Sequence, residues 1–315
     1  MVASNSTAPG HMLPIGRFWE DGMNDANQAT LPRDITEDLY AGSGKLPVWR
    51  TIARSYAIVF RRLGPFVAIA TLPILLTFAV QYTGNEIVVA WELNHRWRIV
   101  FEEPFKWIGW TVFSVAWHRY ALLGQRDSKW PFQFSFGRRE IRFMAYGAIV
   151  AIPLLLAWLV RVPLLYYGAE AQNLPMPYLL LAGALVVVGI FIGIRFSFIF
   201  PSVSVERRTG LTKSWRETQG NGWRIFWVTF IASMPLAVLD RLARELVILM
   251  QPIVTRSGRS AWENPLGHWM IGLTIAQLIF AFLFAAVLIS ALCIAFRRHT
   301  DWQPPADAEA ISTQA

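Results

Sequence analysis

Four polar residues of this chain have the types and spacing that binding an anion requires. Arg119 follows His118 near the end of one apolar segment, and Arg195 ends another. Arg216 and Asn221 come shortly afterwards, in a basic stretch. A guanidinium matches a phosphate through two parallel hydrogen bonds. Arg119, Arg195, Arg216 and Asn221 therefore form a candidate site for a lipid phosphate or another anion. The alternative is that the arginines only reach the membrane surface from the helix ends.

Signatures of catalysis and of metal binding are absent from the sequence. The five histidines form no ligand-spaced pair, and there is no HExxH, GxSxG, P-loop or dinucleotide-binding pattern. Cys293 is the only cysteine and lies in an apolar run, so we expect a buried filler. Asp240–Arg244 and Arg241–Glu245 have the i,i+4 spacing of ion pairs on a solvated helix face. The sequence predicts a protein that is not an enzyme and uses no cofactor.

The elements that carry these residues are apolar enough to cross a membrane. The chain is 54% hydrophobic and 16% charged, whereas soluble domains have about 25% charged residues. A bilayer core takes about 20 apolar residues as helix. The six apolar segments are Leu63–Asn85, Trp107–Leu123, Phe143–Val160, Ala171–Ile194, Ile225–Leu239 and Pro265–Phe296. The second and fifth are the weakest, and no carboxylate lies within any of them. This pattern predicts an all-α polytopic protein with six transmembrane helices.

The six segments divide into three similar units. Each unit has a basic stretch, a helix with a proline followed by apolar residues, and a return helix. The prolines are Pro73, Pro153 and Pro235, which lie 80 and 82 residues apart. Two spans per unit give successive units the same orientation, which predicts three parallel helix-hairpin repeats around a pseudo-threefold axis. Each proline either kinks its helix or breaks it as part of a gate.

A basic amphipathic helix is predicted before each pair of spans. The three basic stretches are Val48–Arg62, Phe132–Arg142 and Leu211–Arg224. In the first, Trp49, Ile52, Tyr56, Val59 and Phe60 fall near one helical face and the arginines fall off it. Such a helix lies in the membrane interface.

The distribution of Lys and Arg predicts the orientation of the chain. Seventeen lie in the segments on the side of the termini and eight in the opposite loops, and the richer side faces the cytoplasm. The net charge of +8 therefore indicates anchoring to anionic lipid rather than nucleic-acid binding. Residues 1–44 and 300–315 are polar and are predicted to be disordered cytoplasmic tails. Residues 45–299 form the membrane domain.

A GxxxG pattern at Gly189–Gly193 predicts a close approach between two helices. We expect the partner helix to belong to the same chain, and the alternative is a homodimer.

A family resemblance appears in the segment after the fourth apolar run. Arg195 and Pro201 are followed by Ser214, Trp215, Thr218, Gly220, Asn221, Trp223 and Arg224. This pattern resembles that of bacterial six-helix inner-membrane proteins, which are similar to the membrane domain beside glycerophosphodiester phosphodiesterases and to the YciC-like uncharacterised families. Trp117–Ala121 resembles the end of their second helix. The resemblance covers about residues 46–298 and implies a bacterial inner-membrane protein without the phosphodiesterase domain.

Together these features predict a non-enzymatic inner-membrane protein of the envelope that binds anionic lipid or a membrane-protein partner. The alternative function is a transporter or channel for a small anion or lipid-like solute, with the kinked helices as gates. A cavity reaching both faces would favour transport, and a pocket closed at the outer end would favour lipid binding.

Overall fold

The computed structural model describes residues 45–90, 96–124, 136–167, 176–207, 210–256, 265–300 and 302–303. Within these ranges the chain is helical, with no strand. The helices are α1 Val48–Phe60, α2 Leu63–Ala90, α3 Arg96–Leu123, α4 Arg138–Tyr167, α5 Met176–Arg195, α6 Ile199–Ser204, α7 Leu211–Glu217, α8 Gly222–Arg256 and α9 Pro265–His299. The predicted tail 1–44 lies outside the described residues. In the predicted tail 300–315, Trp302 contacts Phe296, with ring centroids 6.0 Å apart.

Five of these helices are long and apolar enough to cross a membrane. The candidate spans are Leu63–Gly84, Arg138–Ala157, Met176–Arg195, Gly222–Leu249 and Gly267–His299. The chain is therefore a polytopic helical membrane protein. The predicted span Trp107–Leu123 lies in α3, which begins at Arg96 and carries the buried Glu102, paired with Lys106 at 2.8 Å. His118 and Arg119 within Trp107–Leu123, together with Glu102 and Lys106 before it, explain why α3 falls short of the other five in apolar character.

Helix α8 corrects one prediction from the sequence. Its candidate span continues to Leu249 and so includes Asp240 and Glu245, whereas the predicted segment ended at Leu239, just before them. Arg244 donates to Asp240 at 3.2 Å, and Arg241 pairs with Glu245. These i,i+4 pairs confirm the predicted spacing.

The long helices pack as three antiparallel pairs, α2 with α3, α4 with α5, and α8 with α9. In the first pair, Arg62 donates to the Tyr120 hydroxyl at 3.0 Å at one end. A Cβ built on Gly84 at the other end would lie 2.9 Å from Cγ of Glu102. The close approach predicted at Gly189 lies between α5 and α4, because a Cβ there would meet Cδ2 of Leu154 at 2.7 Å. Gly189 therefore packs against α4 of the same chain, whereas a Cβ built on Gly193, the other glycine of the pattern, would meet nothing within 4 Å.

Helix α9 is the centre of the bundle, and its candidate span is the most buried of the five. It contacts α1, α2, α3, α6 and α8. The fully buried Trp117 of α3 donates through Nε1 to the Ala286 carbonyl and to Ser290 Oγ, both at 3.0 Å. Cys293 is buried beside this contact region, as the sequence predicted. The pair α4–α5 is peripheral, and the span in α5 is only 6% buried.

The three repeated prolines lie inside continuous helices. Pro73, Pro153 and Pro235 are followed and preceded by helical residues in α2, α4 and α8, so the alternative of a broken helix is wrong for all three. Thr77 donates to the Pro73 carbonyl at 2.8 Å. A Cβ built on Gly109 of α3 would lie 3.1 Å from Thr77 Oγ1 and 3.6 Å from the Pro73 carbonyl oxygen, so α3 packs closely on this turn.

The predicted basic helices are present in part. α1 and α7 match the first and third stretches, but α7 ends at Glu217 and a turn leads into α8. In the second stretch, residues 132–135 lie outside the described residues and α4 begins at Arg138. α1 packs along α8 and α9, where Tyr56 donates to the Ala232 carbonyl at 2.8 Å. Burial raises the pKa of Tyr56 above its ordinary value, so the phenol keeps the proton that it donates.

Candidate functional site

One end of the bundle carries most of the basic side chains and is here called the basic end. It contains the first residues of α2, α4 and α8 and the last residues of α3, α5 and α9. Contacts across it join these termini: Arg62–Tyr120, Arg119–Ser204, Arg139–Glu206, Arg195–Thr218, Arg207–Phe296 and Arg224–Leu46. The short helices α1, α6 and α7 lie at this end because their contacts are with the same termini.

Arg195 ends α5, and its side chain contacts residues of both α5 and α7. Its guanidinium carbon lies 5.2 Å from the ring centroids of both Phe191 and Trp215. Its Nη1 donates to the Thr218 carbonyl at 3.4 Å. In return, Ser214 Oγ and Thr218 Oγ1 donate to the Arg195 carbonyl at 3.3 and 3.1 Å. These two hydroxyls satisfy a carbonyl at the C-terminus of α5 that has no partner within its own helix.

The rest of the motif builds the turn from α7 into α8. Gly220 has φ of +78°, a left-handed conformation that glycine adopts without steric cost. The Asn221 carbonyl accepts the amide of Ile225 at 2.9 Å and so begins α8. Arg224 then donates to the Leu46 carbonyl at 2.9 Å, which fixes the start of α1. The motif that carries the family resemblance thus has a structural role at most of its positions.

The four predicted site residues occupy different environments at the basic end. A Cβ built on Gly222 would lie 3.9 Å from Cζ of Arg195, so Arg195 reaches the segment that contains Asn221. Arg119 donates to the carbonyl of Ser204 at the end of α6, at 3.0 Å. Asn221 Oδ1 is buried and has no hydrogen-bond partner among the described residues. Arg216 is exposed on α7. Of the three arginines, Arg119 and Arg195 bond to backbone, whereas Arg216 projects from the surface.

The exposed charge at the basic end is almost entirely positive. Among the described residues, Glu206 is the one carboxylate there with an exposed side chain, and it pairs with Arg139. Glu140 is buried and accepts the Gly137 amide at 2.7 Å. The exposed basic residues are Lys45, Arg50, Arg61, Arg138, Arg142, Lys213 and Arg216.

A cavity of about 560 Å³, open to the surroundings of the bundle, lies between α5 and α8, below the basic end. Its lining comes from α3, α4, α5, α6, α8 and α9 and is mostly apolar. His118 lines it and is 2% exposed. His118 Nδ1 lies 2.7 Å from the Ser114 carbonyl, and Nε2 is buried with no hydrogen-bond partner in the described part of the chain. The sequence could not show this cavity, because its walls come from helices far apart along the chain.

The described residues hold no group of three or more His, Cys, Asp or Glu side chains that could bind a metal ion. The basic end and the cavity are therefore the two features with the chemistry of a binding site. One suits anions at a surface, and the other suits an apolar molecule.

Comparison of the chain with protein-family models, with curated proteins and with solved structures found no match in any of the three. The resemblance to bacterial six-helix inner-membrane proteins remains a prediction from the motif.

Proposed function

We propose that this is a non-enzymatic protein of the bacterial inner membrane whose basic end binds the headgroups of anionic lipids. The observation that carries the proposal is the set of seven exposed Lys and Arg side chains at one end of an apolar bundle, with Glu206 the one exposed carboxylate there among the described residues. Each cation near an anionic bilayer surface contributes about 1 kcal/mol of attraction. Trp49 and Trp223 are 71% and 68% exposed at this end, where tryptophan anchors helices at the interface.

The lipid site that we propose is centred on Arg216 and Lys213 of α7. Both side chains are exposed, and Lys213 has only a 4.0 Å contact with Glu217. Arg119 and Arg195 hold the surrounding turns in place through their bonds to carbonyls. In this proposal they position α6 and α7, and the phosphate binds to the exposed pair.

We further propose six spans in three parallel repeats, with both termini in the cytoplasm. The contacts between pairs follow one cyclic order: α3 packs on α4, α5 on α8, and α9 on α2. Each return helix thus contacts the first helix of the next pair, which supports a threefold order, but α9 also packs on α3 and is more buried than α5, so the three pairs are not equivalent. The short helices support the same order, because α1 packs on α8 and α9, and α7 packs on the end of α5. α3 would be the sixth span, with its polar residues turned into the bundle.

Lipid binding is favoured over transport by the position of the cavity. All of its lining residues lie in the half of the bundle nearer the basic end, between Ile190 and Phe200 on the α5–α6 side and between Ile225 and Ser233 on α8. A transport path would require lining residues in the other half as well. The cavity therefore lacks the second half that a path across the bundle would need.

Titration with anionic lipid tests the proposed site. We expect Lys213→Gln combined with Arg216→Gln to weaken phosphatidylglycerol binding on the order of thirtyfold, because two surface cations contribute about 1 kcal/mol each. Native mass spectrometry of the detergent-solubilised protein would measure the binding, with zwitterionic phosphatidylethanolamine as the lipid control.

The matched control is Arg241→Gln combined with Arg244→Gln, which removes two exposed cations from the opposite half of α8. We expect this variant to retain phosphatidylglycerol as well as the unchanged protein does. Equal weakening by both double variants would show a response to net charge alone and would contradict a lipid site at the basic end.

A further inference from the structure

The cavity between α5 and α8 has a property that headgroup binding at the surface does not explain. Most of its lining is apolar, with the hydroxyls of Ser114, Ser197, Thr229 and Ser233 and the imidazole of His118 among it, and His118 Nε2 is buried without a hydrogen-bond partner in the described part of the chain. The neighbouring Ser114 carbonyl lies 2.7 Å from Nδ1 and can only accept, so Nδ1 must carry the proton. Nε2 is then a hydrogen-bond acceptor. A buried acceptor without a donor costs free energy, and a ligand with a donor would remove that cost.

The walls of the cavity define what else a ligand must be. None of the lining residues is Asp, Glu, Lys or Arg. The hydroxyls of Ser197, Thr229 and Ser233 donate to carbonyls of their own helices at 2.7 to 3.0 Å. These hydroxyls have therefore used their donor protons, and the cavity has no cation for a charged headgroup. A ligand that fits is uncharged and mostly apolar.

The depth of the cavity matches the upper part of a lipid leaflet. His118 lies five residues before the end of α3, and Phe143 lies five residues after the start of α4. At 1.5 Å per residue, both are about 8 Å below the basic end. From this level the lining continues downward along α8 to Ser233. A polar atom of the ligand would lie near the top of the cavity, and its chain would extend toward the middle of the bilayer.

We propose that this cavity binds an uncharged amphiphile with one hydroxyl on a long hydrocarbon chain, and that the imidazole of His118, whose Nε2 is covered in this structure, tilts to accept a hydrogen bond from that hydroxyl. The volume of about 560 Å³ lies within the range of roughly 300–1,000 Å³ found for small-molecule sites. The proposal does not rest on anionic-lipid binding, because the cavity is lined without charged side chains.

Gly193 gives a way to close the cavity. It lines the cavity, and a Cβ built on it would meet nothing within 4 Å. Gly193→Phe should therefore place its ring in the cavity without moving the backbone. Gly183 lies on the same helix, has the same open space and is not among the lining residues. Gly183→Phe is the matched control.

Photolabelling in liposomes of phosphatidylcholine tests the proposal. The probes are a long-chain alcohol with a diazirine in its chain and the methyl ether of the same molecule, which cannot donate a hydrogen bond. We expect the alcohol to label peptides from residues 190–200 and 225–233 roughly threefold to tenfold more than the ether does, because one neutral hydrogen bond distinguishes them. Gly193→Phe should lose labelling by both probes, and Gly183→Phe should retain it.

His118→Phe separates the hydrogen bond from the shape of the cavity. We expect this variant to label equally with both probes, since an apolar ring of similar size replaces the acceptor. Elution of each variant as one symmetric peak in size exclusion establishes that it is folded. Equal labelling by alcohol and ether in the unchanged protein, or an alcohol preference that survives His118→Phe, would overturn the proposal. Lys213→Gln with Arg216→Gln should leave this labelling unchanged. The cavity proposal and the anionic-lipid proposal can therefore fail independently of each other.

Discussion

Trp117→Ala should lower the free energy of unfolding by about 3 kcal/mol, the largest stability effect that we expect from one substitution in this chain. Trp117 is fully buried between α3 and α9, and its ring packs on Phe66, Phe113 and Tyr120. Removing a buried Trp in soluble proteins costs about 3–5 kcal/mol. Lipid solvates apolar groups, so the transfer part of that cost is smaller here, but the lost packing remains. Unfolding in mixed micelles with increasing sodium dodecyl sulfate would measure the change.

Two further variants test this explanation. Trp117→Phe keeps most of the ring volume and loses only the Nε1 bonds to Ala286 and Ser290, so we expect a loss of about 1 kcal/mol. Trp269→Ala removes a side chain that is 71% exposed and should have little effect. A loss from Trp269→Ala as large as that from Trp117→Ala would mean that the α3–α9 contact is not the stabilising core.

Arg195→Ala should destabilise the bundle by about 2 kcal/mol and leave phosphatidylglycerol affinity nearly unchanged. The guanidinium stacks against two aromatic rings and donates to the Thr218 carbonyl. Each cation–π contact contributes about 0.5–1 kcal/mol when exposed and more when desolvated. Arg195→Lys should recover only part of this, because an ammonium lacks the planar face that lies over the rings of Phe191 and Trp215. Micellar unfolding and lipid titration of the same samples would measure both quantities.

Arg216→Ala is the control for Arg195, since its side chain is exposed on α7, the short helix that the Arg195 guanidinium contacts. We expect the opposite result from it, a weaker affinity for phosphatidylglycerol with unchanged stability. If Arg195→Ala weakened lipid binding without lowering stability, Arg195 would be a ligand of the phosphate, as the sequence first suggested. The proposal that Arg195 only stabilises the packing of α7 on α5 would then be wrong.

The sequence predicted best those features that depend on one property, such as hydropathy, over a long stretch of chain. The charge-free runs Leu63–Asn85 and Pro265–Phe296 predict spans that the structure places within a few residues of those limits. The i,i+4 pairs of α8 also follow from spacing alone. In contrast, the N-terminal part of α3 could not be recognised as continuous with the apolar run, because Glu102 and Lys106 interrupt the pattern before their pairing is known.

Tertiary packing decides the features that the sequence left open. Arg195 could have been a ligand or an anchor, and its stacking against Trp215, twenty residues later, is visible only in the fold. α1 was expected to place Trp49 and Val59 on one face, whereas Val59 is buried in the core and Trp49 is 71% exposed. The cavity at His118 requires helices from three pairs. One sequence signal pointed toward it, a histidine in an apolar run four residues after Ser114.

The topology of the termini tests the central proposal, a six-span bundle with its basic end in the cytoplasm. An even number of spans places both termini on one side, whereas five spans would place them on opposite sides. Lys45 and Gln303 are exposed at the two ends of the described chain, and Trp269 is exposed near the opposite end of α9. Each can be replaced by cysteine in a Cys293→Ala background.

Labelling with a membrane-impermeant maleimide in intact bacterial cells would measure this topology. We predict that Lys45→Cys and Gln303→Cys react only after the cells are permeabilised, and that Trp269→Cys reacts in intact cells. Reaction of only one of the two terminal positions in intact cells would mean an odd number of spans. That result would contradict α3 as the sixth transmembrane helix and the threefold arrangement built on it.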